Sequence, residues 1–296
     1  MPAPIRPRRS VLYMPGSNAR ALEKGRSLPA DALILDLEDS VSPEAKQTAR
    51  ETVARALAEG GYGRREILVR VNALETPWGR DDLAAVARMR ADAVLLPKIE
   101  SADAVRKAVR ILEEAGAPDT MSVWCMMETP LGVLNAQAIA SAHSRLGGFV
   151  MGTSDLAKDL HCLHTPERTP FLASLSHVIL CARAYGLGAL DGVHLDLDDA
   201  EGFAAQCRQG LELGFDGKTL IHPKTIAAAN ATFGPTDDDL AEARAMIDAF
   251  EAAKKDGLGV AVLNGKLVEN LHVENARRLL FLAEMIEALE GESAAA

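Results

Sequence analysis

A chain of 296 residues, 48% hydrophobic and 25% charged, is long enough to bury a sizeable core as one large domain or two ordinary ones. Its formal charge of −10 argues against nucleic acid or an anionic membrane as principal partner, since both reward a basic face. The cysteines, Cys125, Cys162, Cys181 and Cys207, form no C-x-x-C pair, and the segment Met1–Arg9 has no apolar signal core behind it, so reduced thiols and a cytoplasmic location are expected.

In chain order, short aliphatic runs alternate with longer amphipathic stretches. The runs are Ser10–Pro15, Ala32–Leu37, Ile67–Val71, Ala93–Pro97, Ser122–Met127, Gly148–Met151, Leu187–Leu190 and Lys218–Ile221. Each is nearly continuous in apolar residues rather than alternating, as buried parallel strands are. None approaches the length of a membrane span. Between the second and third, Ser42-Pro43-Glu44 supplies an N-cap, a proline at N1 and a first-turn acid. Ala45, Ala49, Val53, Ala56 and Leu57 then share one face, and Gly60-Gly61 ends the helix.

Strand–helix units of this kind repeat from about Ser10 to Phe233 and predict an α/β fold, a (β/α)₈ TIM barrel over residues 1–233. An open doubly wound sheet is the alternative, although no G-x-G-x-x-G follows the first strand. After Phe233 the pattern changes. Thr236 and Asp237–Asp239 open a helix with Leu240, Ala243, Ile247 and Phe250 on one side. The run Val260–Val268 reads as a hairpin turning at Asn264-Gly265, and a last helix covers about Val273–Leu289. This helix–hairpin–helix flap, residues 234–296, is small for an independent core and is expected to pack as a lid on the barrel or on a neighbouring subunit.

Barrel active sites lie at the C-terminal ends of strands, so polar residues just after the runs are the candidates. They are Asp36, Glu38 and Asp39, then Arg70 and Asn72, Lys98 and Glu100, Glu128, Ser154 and Asp155, and His222. Glu128 and Asp155 follow consecutive strands. Two carboxylates without a histidine or cysteine beside them suit a hard cation such as Mg²⁺, while helix capping is the structural alternative. Asp36, Glu38 and Asp39 either hydrogen-bond the water around that cation or pair with Lys98 and Arg70. Arg70 either closes such an ion pair or holds a substrate carboxylate. His222 and the cysteines read as structural.

Taken together, Arg9–Ser17, Asp36–Val41, Val69–Asn72, Met127–Gly132, Gly152–Leu156 and Gly217–Pro223 resemble the citrate lyase beta-subunit-like family of CoA ester lyases, within the HpcH/HpaI aldolase superfamily. The resemblance runs in order over nearly the whole chain. It implies a TIM barrel that uses Mg²⁺, with Mn²⁺ as a substitute, and takes CoA as part of the substrate. An acyl-CoA thioester and a small oxoacid are the implied ligands, in a homotrimer or homohexamer whose flap reaches a neighbouring subunit. By position it makes Glu128 and Asp155 the metal ligands, with Glu128 also beside substrate, and Asp36, Glu38 and Asp39 a supporting shell. Arg70 becomes a catalytic and substrate-binding residue, and Tyr13 and Lys24 contacts of the CoA ester. An arginine common after the Pro-Gly-Ser turn is Asn18 here, with Arg20 nearby.

Lyases of this family carry an aspartate in the flap as acid/base, and the matching residue is Glu269. The resemblance thus implies carbon–carbon cleavage or formation in a malyl-CoA or citramalyl-CoA type of substrate. The form Val268-Glu269-Asn270-Leu271-His272 resembles the (3S)-malyl-CoA thioesterase branch, and hydrolysis in the same pocket is the alternative. Service as the beta subunit of a citrate lyase complex is a third possibility.

Overall fold

Strands β1 (Ser10–Pro15), β2 (Ala32–Asp36), β3 (Glu66–Arg70), β4 (Ala93–Leu96), β5 (Ser122–Met127), β6 (Leu146–Met151), β7 (Gly188–Asp191) and β8 (Gly217–Leu220) pair in parallel and close on themselves, β8 against β1. The computed structural model describes residues 6–295, with side-chain burial given as far as Gly291; Met1–Ile5 of the predicted N-terminal segment, and Ala296, lie outside the described residues. The aliphatic runs are continuous because both faces of each strand are covered. Val11, Ile34, Leu68, Leu95, Trp124, Val150 and Leu190 fill the barrel interior. The alternate residues, among them Leu12, Leu33, Leu35, Val69, Val94, Phe149 and Ala189, pack outward in the core shared with the helices.

The surrounding helices are α1 (Ala19–Gly25), α2 (Lys46–Glu59), α3 (Gly79–Val86), α4 (Ala102–Glu114), α5 (Pro130–Leu134), α6 (Ala136–Ala140), α7 (Thr153–Leu160), α8 (Leu172–Ala184), α9 (Ala200–Leu213) and α10 (Ile226–Phe233). Local chemistry starts several of them. Asn18, Ser101, Thr129 and Asp199 each accept a backbone N–H at a helix N-terminus. Among the described residues no helix is long and apolar enough to cross a membrane. All four cysteines are free.

Trp124 is wholly buried inside the barrel, and its ring is accommodated by glycines on the next two strands. A Cβ on Gly148 would stand 2.3 Å from the ring, and one on Gly188 2.7 Å. Arg8, ion-paired with Glu66, lies 4.9 Å over the same ring. Gly148→Ala is expected to overpack this layer and cost about 1–3 kcal/mol, read as a lower urea midpoint with an unchanged slope.

The chain divides into two units, the barrel and a second unit from Gly234 to Ala295. The second contains α11 (Asp237–Lys255), the antiparallel hairpin β9 (Ala261–Leu263) with β10 (Lys266–Val268), and α12 (Asn270–Ala295). Thr236 and Asp239 form a capping box at the start of α11. Asn264 and Gly265 turn the hairpin with φ of 51° and 76°, the left-handed values that this dipeptide favours. Small as it is, the unit has its own apolar cluster of Phe250, Ala261, Val268 and Val273, with Met246 and Ile247 packed against it.

Candidate active site

At the C-terminal end of the barrel a cavity of about 360 Å³ is lined by acids, Tyr13, Arg70 and an apolar set of Met126, Met151, Val193 and Ile221. The acids come from separate strands: Asp36 ends β2, Glu128 follows β5, and Asp155 stands in the first turn of α7 after β6. Register sets them side by side, since Met127 and Met151 are paired across β5 and β6. Thr129 rather than Glu128 caps α5, its hydroxyl accepting from the Gly132 N–H at 3.0 Å. That frees the Glu128 carboxylate.

Arg70 is tied down. Its Nε donates to Asp36 Oδ1 at 2.7 Å and its Nη2 to Asp36 Oδ2 at 2.8 Å, a bidentate fork within the wall. Nη1 lies 3.0 Å from Glu38 and 3.3 Å from Asp39, and the Tyr13 ring covers the guanidinium at 5.0 Å. Of the two readings of Arg70, the ion pair is formed here, and its donors face acids. Burial works against the charge of Arg70, but the Asp36 hydrogen bonds and charge outweigh it and leave the group held charged. Burial likewise pushes Asp36 up, yet Arg70 pulls it below the usual carboxylate range.

Glu128 is in a different situation. Burial, then the neighbouring Glu38, pushes its carboxyl up to about 7, despite the Lys98 N–H donating to Oε1 at 2.7 Å. Glu38 is also raised, by burial first. Its Oε2 is buried without a well-directed hydrogen bond. Lys98 Nζ lies 3.3 Å from Glu38 Oε1 and 3.4 Å from Asp155 Oδ2. Five carboxylates thus gather about Arg70 and Lys98, Glu128 being met by the Lys98 backbone N–H, with the Lys46 ammonium behind them on the Leu37 and Glu38 carbonyls. An under-neutralised, oxygen-only donor set fits a hard divalent cation that keeps much of its water. Among the described residues no group of three or more His, Cys, Asp and Glu side chains has metal-holding spacing.

Gly152 makes room for this arrangement. A Cβ there would stand 2.4 Å from the Glu128 Cβ and 2.5 Å from its Oε2. Gly152→Ala is expected to displace Glu128 and weaken divalent-ion binding by roughly 10–100-fold, the range seen when groups supporting a metal ligand are disturbed. Titration calorimetry with Mn²⁺ measures it.

The other expected site residues are placed unevenly. Tyr13 lines the cavity, and its hydroxyl faces only the Met126 sulfur, at 3.4 Å. Burial pushes its phenol well above the ordinary range, so it is a neutral donor. Lys24 is not brought there: it lies on the exposed side of α1, whose buried residues are Leu22 and Gly25. Asn18 caps α1 through its side chain. His222 accepts the Lys224 N–H at 3.1 Å, a turn-forming role. Glu269 is exposed in the second unit, just before α12, with its backbone N–H bonded to His272 Nδ1 at 3.0 Å; every residue lining the cavity belongs to the barrel unit. Sequence reasoning missed the apolar wall. Met126 lies two residues before Glu128, which directly follows β5, so strand parity alone pointed it inward with that acid. Val193, in the segment after β7, left no such signal.

The sequence profile described as HpcH/HpaI aldolase/citrate lyase matches residues 9–223. A (3S)-malyl-CoA thioesterase of Cereibacter sphaeroides is 49% identical over 282 residues, covering 95% of this chain and 96% of that protein. The citrate lyase subunit beta of Escherichia coli is 40% identical over 285 residues, covering 95% and 94%. Among solved structures, CitE of Mycobacterium tuberculosis in complex with magnesium, acetoacetate and coenzyme A is similar, with a TM-score of 0.73 and 30% identity over 93% of this chain and 97% of that one. The chain belongs to the HpcH/HpaI aldolase/citrate lyase family and is an enzyme.

Proposed function

We propose that this family member hydrolyses the thioester of a short hydroxyacyl-CoA of the (3S)-malyl-CoA type, with Mg²⁺ as cofactor. The observation that carries hydrolysis over carbon–carbon cleavage is the near full-length likeness to a (3S)-malyl-CoA thioesterase, which exceeds the likeness to citrate lyase subunit beta. Glu128 and Asp155 would hold the cation. When bound, it supplies Lewis-acid polarisation of substrate oxygens.

The chain's own side chains do the rest. Asp36 clamps Arg70, and with Tyr13 stacked on it the pair makes a rigid wall of the cavity. The Tyr13 hydroxyl, with only a sulfur to bond, is available to donate to a substrate oxygen. Met126, Met151, Val193 and Ile221 exclude water from the carbon chain. Glu269 is the base: its carboxylate takes a proton from water, the water oxygen bonds to the thioester carbonyl carbon, and the carbon–sulfur bond breaks as the proton passes from Glu269 to the leaving sulfur, giving the free acid and the CoA thiol. We read the site as completed between copies in a homotrimer or homohexamer, the exposed flap of one chain being offered to the next. The exposed hairpin residues Val262, at 69% exposure, and Leu267, at 54%, support that reading.

One assay separates the readings. The purified chain with Mg²⁺ and malyl-CoA is expected to release thiol and malate without glyoxylate. Glyoxylate with acetyl-CoA would instead establish the lyase, which the aldolase/citrate lyase profile favours. Activity only after adding other subunits would establish a citrate lyase complex component. Light scattering gives the subunit number, and Glu269→Gln should remove turnover while leaving cation binding intact.

A further inference from the structure

Lys98 follows β4 with φ of 49°, a left-handed backbone that a lysine adopts only when its surroundings hold it there. Each end of the residue meets an acid. Its N–H donates to Glu128 Oε1 at 2.7 Å, and its Nζ stands 3.3 Å from Glu38 Oε1 and 3.4 Å from Asp155 Oδ2. One side chain therefore engages acids following β2 and β6, while its backbone engages the acid following β5.

Arg70 and Lys98 differ in freedom. Arg70 is buried, forked onto Asp36 at 2.7 and 2.8 Å and stacked under Tyr13, so it cannot leave. Lys98 has longer contacts, a flexible stem and a side chain 41% exposed, so its ammonium can withdraw toward solvent. An ammonium is a compact monovalent charge, and an arriving divalent ion held by Glu128 and Asp155 would meet the Asp155 carboxylate with twice that charge.

We propose that Lys98 is a positioning residue whose ammonium stands in for the divalent cation between Glu38 and Asp155 while its backbone N–H holds Glu128, keeping the acids assembled before the metal arrives and competing with it for Asp155. This rests on the cation reading of the site given above. It makes the lysine a determinant of metal affinity, opposite in sign to a supporting ligand: deleting it tightens binding.

The test is Mn²⁺ binding to the metal-free full chain, followed by titration calorimetry and by the electron paramagnetic resonance of free Mn²⁺, in the parent, Lys98→Met, Lys98→Gly and Lys98→Arg. Lys98→Gly deletes the ammonium while relieving the backbone, so it keeps the question answerable if the methionine variant folds poorly. At least tenfold tighter binding in both deletions is expected, with near-parental affinity in Lys98→Arg and a larger Mn²⁺-induced rise in Tm in the deletions. Equal or weaker binding in a folded Lys98→Gly, with the parent still binding, overturns the competition and leaves the cation site standing. Absence of Mn²⁺ binding in the parent and in every variant overturns both.

Discussion

Glu128→Gln is expected to lower kcat by on the order of 10³-fold, the several kcal/mol that a divalent cation contributes to a polarised transition state. The same variant should lose the Mg²⁺-induced rise in Tm. Its metal-free stability should move the other way, and with a defined pH dependence. Burial and then Glu38 hold the Glu128 carboxyl up to about 7 in the folded chain, against roughly 4.3 when unfolded. Between those values the folded state keeps a proton that the unfolded state has lost, so stability declines as pH rises through the window. The decline approaches about 4 kcal/mol and is complete above the folded value. Glutamine carries no such proton. In metal-free protein, Glu128→Gln should therefore gain on its parent from pH 4.5 to 8, by urea unfolding at each pH, and Mg²⁺ should restore the parent's lost stability but not the variant's. A flat difference across that range would refute the placement of Glu128 as an under-neutralised buried acid.

The largest stability effect is expected at Asp191, an acid outside the cavity lining. Asp191 is fully buried and its two oxygens accept from Arg168 Nη1 at 2.7 Å each, from Lys218 Nζ at 2.9 Å and from the Gly192 N–H at 2.8 Å. Burial would raise this acid, but Lys218 and then Arg168 hold it below its ordinary value. Asp191→Ala strands two buried cations and should cost about 3–5 kcal/mol, on the order of 10 °C in Tm. Lys218→Met leaves the Arg168–Asp191 pair whole and fills the wholly buried lysine site with an apolar chain of similar size. It should cost less than half as much and leave turnover unchanged. Equal losses in the two variants would show that the cluster acts through packing rather than charge.

Which parts of this were readable in advance follows from the physics of each element. All eight barrel strands coincide with predicted aliphatic runs, usually within a residue or two, because a strand covered on both faces must be apolar throughout. The Asn264-Gly265 turn was readable for a similar reason, since its left-handed backbone restricts the residue types that fit. Lys218 breaks its own run, and nothing local reveals why. Its charge is matched by Asp191 on the neighbouring strand, 27 positions earlier in sequence, an acid that Arg168 from a loop also engages. The candidate acids were legible as residues that follow strands, whereas the capture of Arg70 by Asp36 and the backbone twist at Lys98 are products of closure. A pattern along the chain carries no information on which of several nearby acids a guanidinium will face.

The tryptophan enclosed by the barrel glycines gives the molecule a built-in spectroscopic probe. Of two tryptophans, Trp124 has no solvent exposure, and its indole N–H has no hydrogen-bond partner. Its emission should be blue-shifted and insensitive to iodide, while the half-buried Trp78, 5.5 Å from the Lys46 ammonium, should respond to ionic quenchers. Unfolding of the barrel interior and events at its rim are thereby distinguishable in one unlabelled sample by wavelength alone.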